Sequence, residues 1–184
     1  MSSIVVEENG LMFRVVAGKD LTREERKELV VLCNLAYEEE MEEIINQFED
    51  PVHVLGEFQG KMVCHALWIT RYLQPEGLPP LRSAYVEAVA THPDFQHRGF
   101  ASAIMRKLVE EIQEFDIAGL SPFNVDYYAC LGWELWRGAM FERTQAGVVA
   151  SPADERVMIY RLPSTPALDL DSAISIEWRE GEVW

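Results

Sequence analysis

The chain has 184 residues, with 31 acidic and 16 basic side chains and a formal net charge of −15 at pH 7. The length fits one domain, and 48% hydrophobic with 26% charged residues is an ordinary globular composition. This charge argues against a nucleic-acid binder, which needs a basic surface, and against docking on an anionic membrane. It suits a cationic partner, although acidity also serves solubility alone.

Cysteine and histidine spacing indicates no metal and no redox site. Cys33, Cys64 and Cys130 are far apart, with no C-x-x-C pair, and the four histidines show no ligand spacing, so we expect no metal. The start of the chain lacks a basic segment followed by an apolar run, and no stretch is long enough to span a bilayer. These features predict a reducing, cytoplasmic compartment.

Hydrophobic patterning and turn signals predict alternating strands and helices. In chain order they are a strand at 11–17, a helix after the capping box of Thr22 and Glu25, strands at 53–58, 62–72 and 81–91, a helix over 101–112, a strand at 117–120, a helix over 125–131, and strands at 133–136 and 157–162. The acidic run 37–43 should interrupt the first helix, and the proline-rich segment 74–80 should be a loop. Seven strands with interspersed helices predict an α/β or α+β fold on one mixed sheet.

A glycine-containing loop joins the strand at 81–91 to the long helix that follows. Gly99 stands at the helix start, where backbone N–H groups and the helix dipole favour an anion. Gly99 has no Cβ to hold an anion away, and Ala101 keeps the first turn open. The pattern predicts a pyrophosphate site, although a plain strand-to-helix turn would use the same glycine.

Two short motifs carry a family likeness. Gln96-His97-Arg98-Gly99-Phe100-Ala101 matches (Arg/Gln)-x-x-Gly-x-(Gly/Ala), and Tyr128-Ala129-Cys130-Leu131-Gly132-Trp133 matches Tyr-x-x-x-Gly-(Phe/Trp). Both are motifs of the GCN5-related N-acetyltransferases, which the chain therefore resembles. Tyr85-Val86-Glu87-Ala88, the segment 132–138 and the tryptophan-terminated tail 178–184 are similar to the aminoglycoside 2'-N-acetyltransferases. The likeness spans nearly the whole chain and is thin before residue 60.

The resemblance implies one acetyltransferase domain over 1–184, with a splayed pair of parallel strands, and acetyl-CoA as co-substrate. Pantetheine would pair with the backbone of Val89 and Ala90 as an added strand. The pyrophosphate would lie on the N–H groups of the loop and first helical turn, which are those of Gln96, His97, Arg98, Gly99, Phe100, Ala101 and Ser102. The likeness also suggests a homodimer.

Acetyl transfer to an amine requires a base. An amine with a pKa of about 10.4 is neutral in only about one molecule in 10³ near pH 7. Glu87 is the candidate base, because a carboxylate in mid-strand is unusual and strand alternation groups it with Tyr85 and Val89. In the resembling enzymes the matching glutamate acts through water. The alternative is a strand-edge glutamate paired with an arginine.

Tyr128 is the candidate acid, since the departing thiolate needs a proton or a hydrogen bond. The alternative for Tyr128 is a packed core tyrosine. Acceptor selection should come from acids, because an amino sugar is multiply cationic. The candidate acceptor-binding residues are Glu40, Asp154, Glu155, Glu182 and Trp184, the last through its own carboxylate.

The likeness predicts acetylation of the 2'-amine of an aminoglycoside, with the tail 164–184 closing the substrate pocket. Glu40 and Glu182 are each one methylene longer than the family aspartates, so the acceptor could also be a non-deoxystreptamine compound such as kasugamycin. Two other functions remain open. One is acetylation of polyamines or of a protein lysine or N-terminus, and the other is a non-catalytic module that binds CoA or a basic partner.

Overall fold

A computed structural model describes residues 3–8, 10–181, 183 and 184, with side chains from Gly10 onward. Met1 and Ser2, on which the expectation about the start of the chain partly rests, and the predicted acceptor residue Glu182 lie outside the described residues. The chain forms two compact units, one of Met1–Ile69 with Val86–Glu111 and one of Thr70–Tyr85 with Ile112–Trp184. The prediction of one domain over 1–184 stays a prediction.

Within the residues that the structure describes, the first unit combines a sheet with three α-helices. Its elements are β1 (Ser3–Glu8), β2 (Leu11–Ala17), α1 (Arg23–Tyr37), α2 (Glu42–Gln47), β3 (Val52–Phe58), the first part of β4 (Lys61–Pro75), the second part of β5 (Leu81–Thr91) and α3 (Phe100–Glu111). The strand order is β1-β2-β3-β4-β5, and each neighbouring pair from β1 to β4 is antiparallel. Short 3₁₀ turns at Gly18–Asp20 and Pro93–Phe95 were not predicted.

Helix α1 begins and ends where its sequence directs. Thr22 accepts a hydrogen bond from the Glu25 N–H, and the Glu25 carboxylate accepts one from the Thr22 N–H, so the predicted capping box is confirmed. Leu29, Leu32 and Cys33 are buried at helical spacing. The helix ends at Tyr37 because Glu38 is left-handed, with φ of +58°. The predicted interruption in the acidic run is confirmed.

A bulge in the β3–β4 hairpin changes the facing of β4. Beside the turn Glu57 is opposite Met62, whereas Gly56 is opposite Cys64, so Val63 is an extra residue in β4. A Cβ on Gly56 would lie 2.3 Å from the Cys64 sulfur, which shows that the bulge needs a glycine there. Beyond the bulge, every β4 side chain is on the face opposite to the one a regular hairpin would give it.

The second unit also combines parallel and antiparallel pairs. Besides the other parts of β4 and β5, it contains β6 (Ile117–Leu120), α4 (Val125–Ala129), β7 (Glu134–Leu135), β8 (Met140–Thr144), β9 (Gly147–Ala150), β10 (Met158–Arg161) and β11 (Ile174–Glu177). β5 and β6 are parallel over three pairs that end at Tyr85 and Gly119. β10 pairs antiparallel with β6 and β7, and β11 pairs parallel with β8 and antiparallel with β4. The predicted mixed α/β fold is confirmed.

A buried arginine ties the C-terminal segment to β4. Arg71 is 4% exposed, and its guanidinium donates to the Glu177 carboxylate (2.5 Å), the Glu177 carbonyl (2.7 Å) and the Val183 carbonyl (2.9 Å). Its guanidinium carbon also lies 5.6 Å from the centre of the Tyr85 ring. A buried cation needs such partners, so Glu177 and Val183 complete the environment of Arg71.

Candidate active site

The loop between β5 and α3 presents backbone donors to solvent. His97 and Gly99 have φ of +60° and +80°, and residues 96–99 are exposed. The Ala103 N–H donates to the Gly99 carbonyl at 2.9 Å, so Gly99 is the residue directly before α3 whose carbonyl accepts the first helical hydrogen bond. The N–H groups of Phe100 and Ala101 precede this first helical bond and have no carbonyl one turn earlier in the helix. The loop therefore fits a phosphate group, with a glycine where the backbone must approach closely.

Two side chains stiffen this loop. The Arg98 guanidinium donates to the Asp94 carbonyl at 3.3 Å and lies 5.0 Å from the centre of the Phe95 ring. The Gln96 amide donates to the Thr91 carbonyl at 3.5 Å. Arg98 and Gln96 thus support the loop from within, and the exposed backbone remains the feature that suits an anion.

Strand β5 is distorted beside the predicted base. Ala88 is buried and has φ of +49°, which a residue with a Cβ rarely adopts in a strand. The flanking Glu87 and Val89 are both half-buried, whereas Tyr85 is completely buried. The predicted common face of Tyr85, Glu87 and Val89 is therefore divided at Ala88. The Tyr37 hydroxyl donates to the Val89 carbonyl at 3.1 Å, on the strand predicted to pair with pantetheine.

Two buried histidines lie under this distortion. His65 Nδ1 is 2.8 Å from the Ala88 carbonyl oxygen, and His65 Nε2 is 3.0 Å from His53 Nδ1. Burial lowers the pKa of both rings below the ordinary histidine value, and the charge of Arg26 lowers the pKa of His53 further. Both rings are therefore neutral near pH 7.

Tyr128 lies in the second unit, in a small aromatic cluster. The short helix α4 is capped by Asn124, whose side chain accepts a hydrogen bond from the Tyr127 N–H at 3.0 Å. Tyr128 is 8% exposed, and its ring centre lies 5.0 Å from that of Tyr127 and 6.3 Å from that of Trp133. Burial raises the pKa of Tyr128 to about 12, with a smaller contribution from Tyr127. The phenol therefore keeps its proton throughout the neutral range.

The predicted acceptor-binding acids are divided between the two units. In the first unit, Glu40 is exposed and its carboxylate accepts a hydrogen bond from the Asn34 amide at 3.2 Å. The Asn34 side chain in turn accepts from the Met41 N–H at 2.8 Å, so the turn after α1 holds Glu40 in place. This arrangement leaves the Glu40 carboxylate accessible to a cation.

In the second unit, the segment 151–156 lies beside the C-terminal tryptophan. The Trp184 ring is buried, and its indole N–H donates to the Ser151 hydroxyl at 2.7 Å. Asp154 is exposed and Glu155 is half-buried. A cavity of about 490 Å³ lies between residues 135–141 and this segment, with Glu155 in its wall. Ser151, which accepts the hydrogen bond from Trp184, also lines this cavity.

A comparison with known proteins identifies the family. Residues 18–136 match the family model for the acetyltransferase (GNAT) domain. The chain belongs to the GNAT acetyltransferases. Over 183 residues it is 29% identical to an aminoglycoside 2'-N-acetyltransferase of Mycolicibacterium fortuitum, covering 93% of this chain and 91% of that protein. The acetyltransferase is therefore of the GNAT type and uses an acyl-CoA donor.

Solved structures agree on the fold of the acetyltransferase. The Escherichia coli GNAT N-acetyltransferase YhbS, determined in complex with CoA, has a TM-score of 0.63 at 11% identity and covers 96% of this chain and 94% of its own. Eis1 of Mycobacterium abscessus has a TM-score of 0.57 at 16% identity, covering 69% of this chain. This chain spans about a third of the length of Eis1, and about a third of the length of two similar structures, a probable N-acyltransferase of Enterococcus faecalis and a GCN5-related N-acetyltransferase of Kribbella flavida.

Several residues around the site were missed by sequence reasoning. Tyr37, His65 and Arg71 each bond a backbone carbonyl on or near a predicted site segment, and Ser151 bonds Trp184. Only Arg71 carried a signal, because a charged residue inside an apolar strand must find a buried partner. The prediction that Val89 and Ala90 pair with pantetheine and the roles given to Glu87 and Tyr128 stay predictions.

Neither a membrane span nor a metal cluster was found where the structure describes the acetyltransferase. Across residues 3–8, 10–181 and 183–184, no helix has the length and apolar character needed to cross a bilayer. In the same part of the chain, no three histidine, cysteine, aspartate or glutamate side chains converge as a metal site would require.

The two buried histidines predict a specific pH dependence of stability. Their folded pKa values lie below the unfolded value of about 6.5, so the folded acetyltransferase binds fewer protons than the unfolded chain. The stability due to the neutral rings is thus complete above about pH 6.5 and is lost as the pH falls toward the folded pKa values. Between pH 6.5 and 5 we expect the free energy of unfolding to fall by up to about 1.4 kcal/mol per pH unit for each histidine.

Urea unfolding of the wild type at pH 7 and pH 5 measures this loss. The variant His65→Leu has one titrating ring fewer, so its unfolding free energy should fall less between the same pH values. An equal fall in the two proteins would show that other groups cause the acid sensitivity.

Proposed function

We propose that this chain moves the acetyl group of acetyl-CoA to the 2'-amine of an aminoglycoside and so confers resistance. The observation that carries the proposal is the 29% identity to an aminoglycoside 2'-N-acetyltransferase along 93% of the chain. The net charge of −15 supports it, because a negative field concentrates a polycationic sugar. The reaction is direct transfer, with donor and acceptor bound together.

The donor end of the site is the β5–α3 loop. The N–H groups of the loop and of the first turn of α3, from His97 to Ser102, hold the pyrophosphate, and Val89 and Ala90 pair with pantetheine. The Gln96 N–H, which was also predicted to bind the pyrophosphate, already donates to the Pro93 carbonyl at 3.3 Å. Acetyl-CoA supplies an activated acyl carbon as a thioester. The positive φ of Gly99 supports this role, because it is a conformation that favours glycine. A glycine has no side chain to fill the space that the phosphate needs.

Glu87 accepts the proton that the acceptor ammonium must lose, through a water molecule. Removing that proton near pH 7 costs about 4–5 kcal/mol in the absence of a base. Glu87 is half-buried, and it precedes the left-handed Ala88, which turns the strand at this point. A half-buried carboxylate retains contact with water, as a water-mediated base requires.

Tyr128 donates a hydrogen bond to the departing thiolate. Complete proton transfer from a phenol with a pKa of about 12 to a thiolate with a pKa of about 8.5 is uphill by roughly 5 kcal/mol. Stabilisation by hydrogen bonding has no such cost, because the proton stays on the phenol. The thiolate is finally neutralised either by a proton from solvent or by the proton that the amine releases.

The acceptor is bound by carboxylates from Glu40, Asp154, Glu155, Glu182 and Trp184. The hydrogen bond from Asn34 to Glu40 supports a preorganised carboxylate at the turn after α1. A cavity of about 490 Å³ beside Glu155 lies within the usual range for a small-molecule site. Because Glu40 and Glu182 are longer than the family aspartates, a non-deoxystreptamine acceptor such as kasugamycin belongs in the same substrate class.

A thiol-release assay with acetyl-CoA tests this function. The decisive acceptors are two aminoglycosides that differ only in an amine or a hydroxyl at the 2' position, kanamycin B and kanamycin A, with kasugamycin, spermidine and a lysine-rich peptide alongside. We expect turnover with the 2'-amine compound or kasugamycin, with a product heavier by one acetyl group. Preference for spermidine or the peptide would overturn the aminoglycoside assignment.

The variant Tyr128→Phe removes the proposed hydrogen-bond donor and keeps the ring. We expect kcat to fall on the order of 10²-fold, the usual effect of losing one donor to a developing negative charge, with acetyl-CoA affinity unchanged. The matched control is Tyr127→Phe in the same helix, which should retain wild-type kcat. Equal kcat values for the two variants would remove Tyr128 from the reaction.

A further inference from the structure

The hydrogen atoms on the two buried histidines are fixed by their partners. The Ala88 carbonyl can only accept, so His65 Nδ1, at 2.8 Å, must carry the hydrogen. Neutral His65 then has a lone pair on Nε2, and His53 Nδ1, at 3.0 Å, must donate to it. His53 Nε2 is left as an acceptor, and it has no hydrogen-bond partner within the described residues.

The neighbouring thiol does not change this assignment. The Cys33 sulfur lies 3.8 Å from His65 Nδ1, a long contact for a weak donor. If the thiol donated to Nδ1, two lone pairs would face each other across the 2.8 Å between Nδ1 and the Ala88 oxygen. The order of donation is therefore from His53 to His65 and from His65 to the Ala88 carbonyl.

The hairpin bulge is what brings the two rings together. His53 is opposite Leu67, and Leu55 is opposite His65, so the two histidines are diagonal neighbours on one face. If the same sequence paired without a bulge, the register beside the turn would continue along the hairpin and His53 would be opposite Ala66. The two rings would then be on opposite faces of the sheet. The glycine required at residue 56 thus serves the histidine pair as well as the hairpin.

The histidine chain ends at the residue of β5 with the least favourable backbone. Ala88 has φ of +49° and separates the proposed base Glu87 from Val89, which is predicted to pair with pantetheine. A residue with a Cβ holds a left-handed conformation only where its surroundings impose it. A buried donor 2.8 Å from its carbonyl oxygen is such a constraint, because a relaxed strand would turn that carbonyl away.

We propose that His65, oriented by His53, is a positioning residue that holds Ala88 in its left-handed conformation and so directs Glu87 and the Val89 peptide toward the reaction. This inference rests on the proposed function for its catalytic consequence, whereas the hydrogen-bond chain itself is independent of any acceptor. His65 acts through the backbone and does not touch the reacting atoms.

Nitrogen-15 spectra of the histidine rings at pH 7.5 test the chain directly. We expect both His53 and His65 to carry hydrogen on Nδ1, the less common form of the free side chain, and the variant His65→Leu to abolish this form at His53. Hydrogen on Nε2 of His65 in the wild type would overturn the inference regardless of activity.

Kinetics of three variants test the consequence. His65→Leu removes both nitrogens, whereas His65→Asn keeps an N–H near the position of Nδ1. We expect kcat to fall about 10- to 100-fold in His65→Leu and to be largely restored in His65→Asn. Cys64→Ala, a buried truncation on the same strand, should lower the melting temperature without changing kcat. Equal kcat in His65→Leu and the wild type, or no restoration in His65→Asn, would contradict a positioning role.

The binding of acetyl-CoA separates this inference from the proposed function. If the wild type acetylates no amine in the panel, the proposed function fails, and calorimetric titration of the same variants with acetyl-CoA still decides the present inference. We then expect weaker binding in His65→Leu than in His65→Asn or Cys64→Ala, because the Val89 peptide is no longer held. Equal dissociation constants in the wild type and the three variants would overturn the positioning role of His65.

Discussion

Replacement of Gly99 with glutamate is expected to abolish measurable acetyl-CoA binding while the protein remains folded. Gly99 is exposed at the start of α3 with φ of +80°, next to the N–H groups proposed to hold the pyrophosphate. A glutamate there adds a Cβ in the approach path and a negative charge facing the phosphates. We expect the dissociation constant to rise at least on the order of 10²-fold, close to 3 kcal/mol, by calorimetry.

A matched variant separates this effect from backbone strain. Gly60 in the β3–β4 turn has φ of +77° and nothing within 4 Å of an added Cβ, so Gly60→Glu imposes the same strain and charge at a different turn. Gly60→Glu should bind acetyl-CoA with the wild-type dissociation constant, and the two variants should have similar melting temperatures. Wild-type affinity in Gly99→Glu would overturn the phosphate assignment for this loop.

Elements specified by local physics were predicted well. Strands β2, β5 and β6 have the predicted bounds, and α1 begins at its capping box. In these segments apolar periodicity, turn residues and caps agree, so the sequence within about ten residues determines the structure. Strand β4 continues to Pro75, two residues into the predicted loop, because its last residues pair with β11, far along the chain.

Elements specified by distant partners were missed. The hairpin of β8 and β9 lies in a polar segment, and β9 is fully exposed, so neither strand has a buried face to create a pattern. In β11 the alternation of buried Ile174 and Ile176 is present but short, in a tail rich in prolines and acids. Its two pairings, with β4 and with β8, arise only when the chain is folded.

The candidate site shows the same division. The glycine of the β5–α3 loop and the tyrosine of α4 could be predicted as site residues because each belongs to a contiguous motif. The left-handed Ala88 carries no signal, since alanine is not a residue that marks such a conformation. The histidine pair was also hidden, because a regular hairpin through the Gln59–Gly60 turn would place the rings on opposite faces, and the bulge that reverses one of them is a tertiary feature.

Replacement of Glu87 with glutamine is expected to lower kcat about 10²- to 10³-fold, the usual contribution of a positioned general base. The amide keeps the size of the side chain but cannot accept the proton from the acceptor ammonium. The KM for acetyl-CoA should change little, because Glu87 is not assigned to the donor. The thiol-release assay with the best acceptor from the panel measures both constants.

The pH profile of the same variant distinguishes a base from a binding residue. Without a base, only the free amine reacts, so kcat/KM of Glu87→Gln should rise about tenfold per pH unit up to the amine pKa near 10. The loss relative to wild type is then largest at low pH and smallest at high pH. A pH-independent loss, confined to the KM of the acceptor, would make Glu87 a binding carboxylate. Glu57→Gln, another half-buried strand glutamate of the first unit, is the control and should show the wild-type profile.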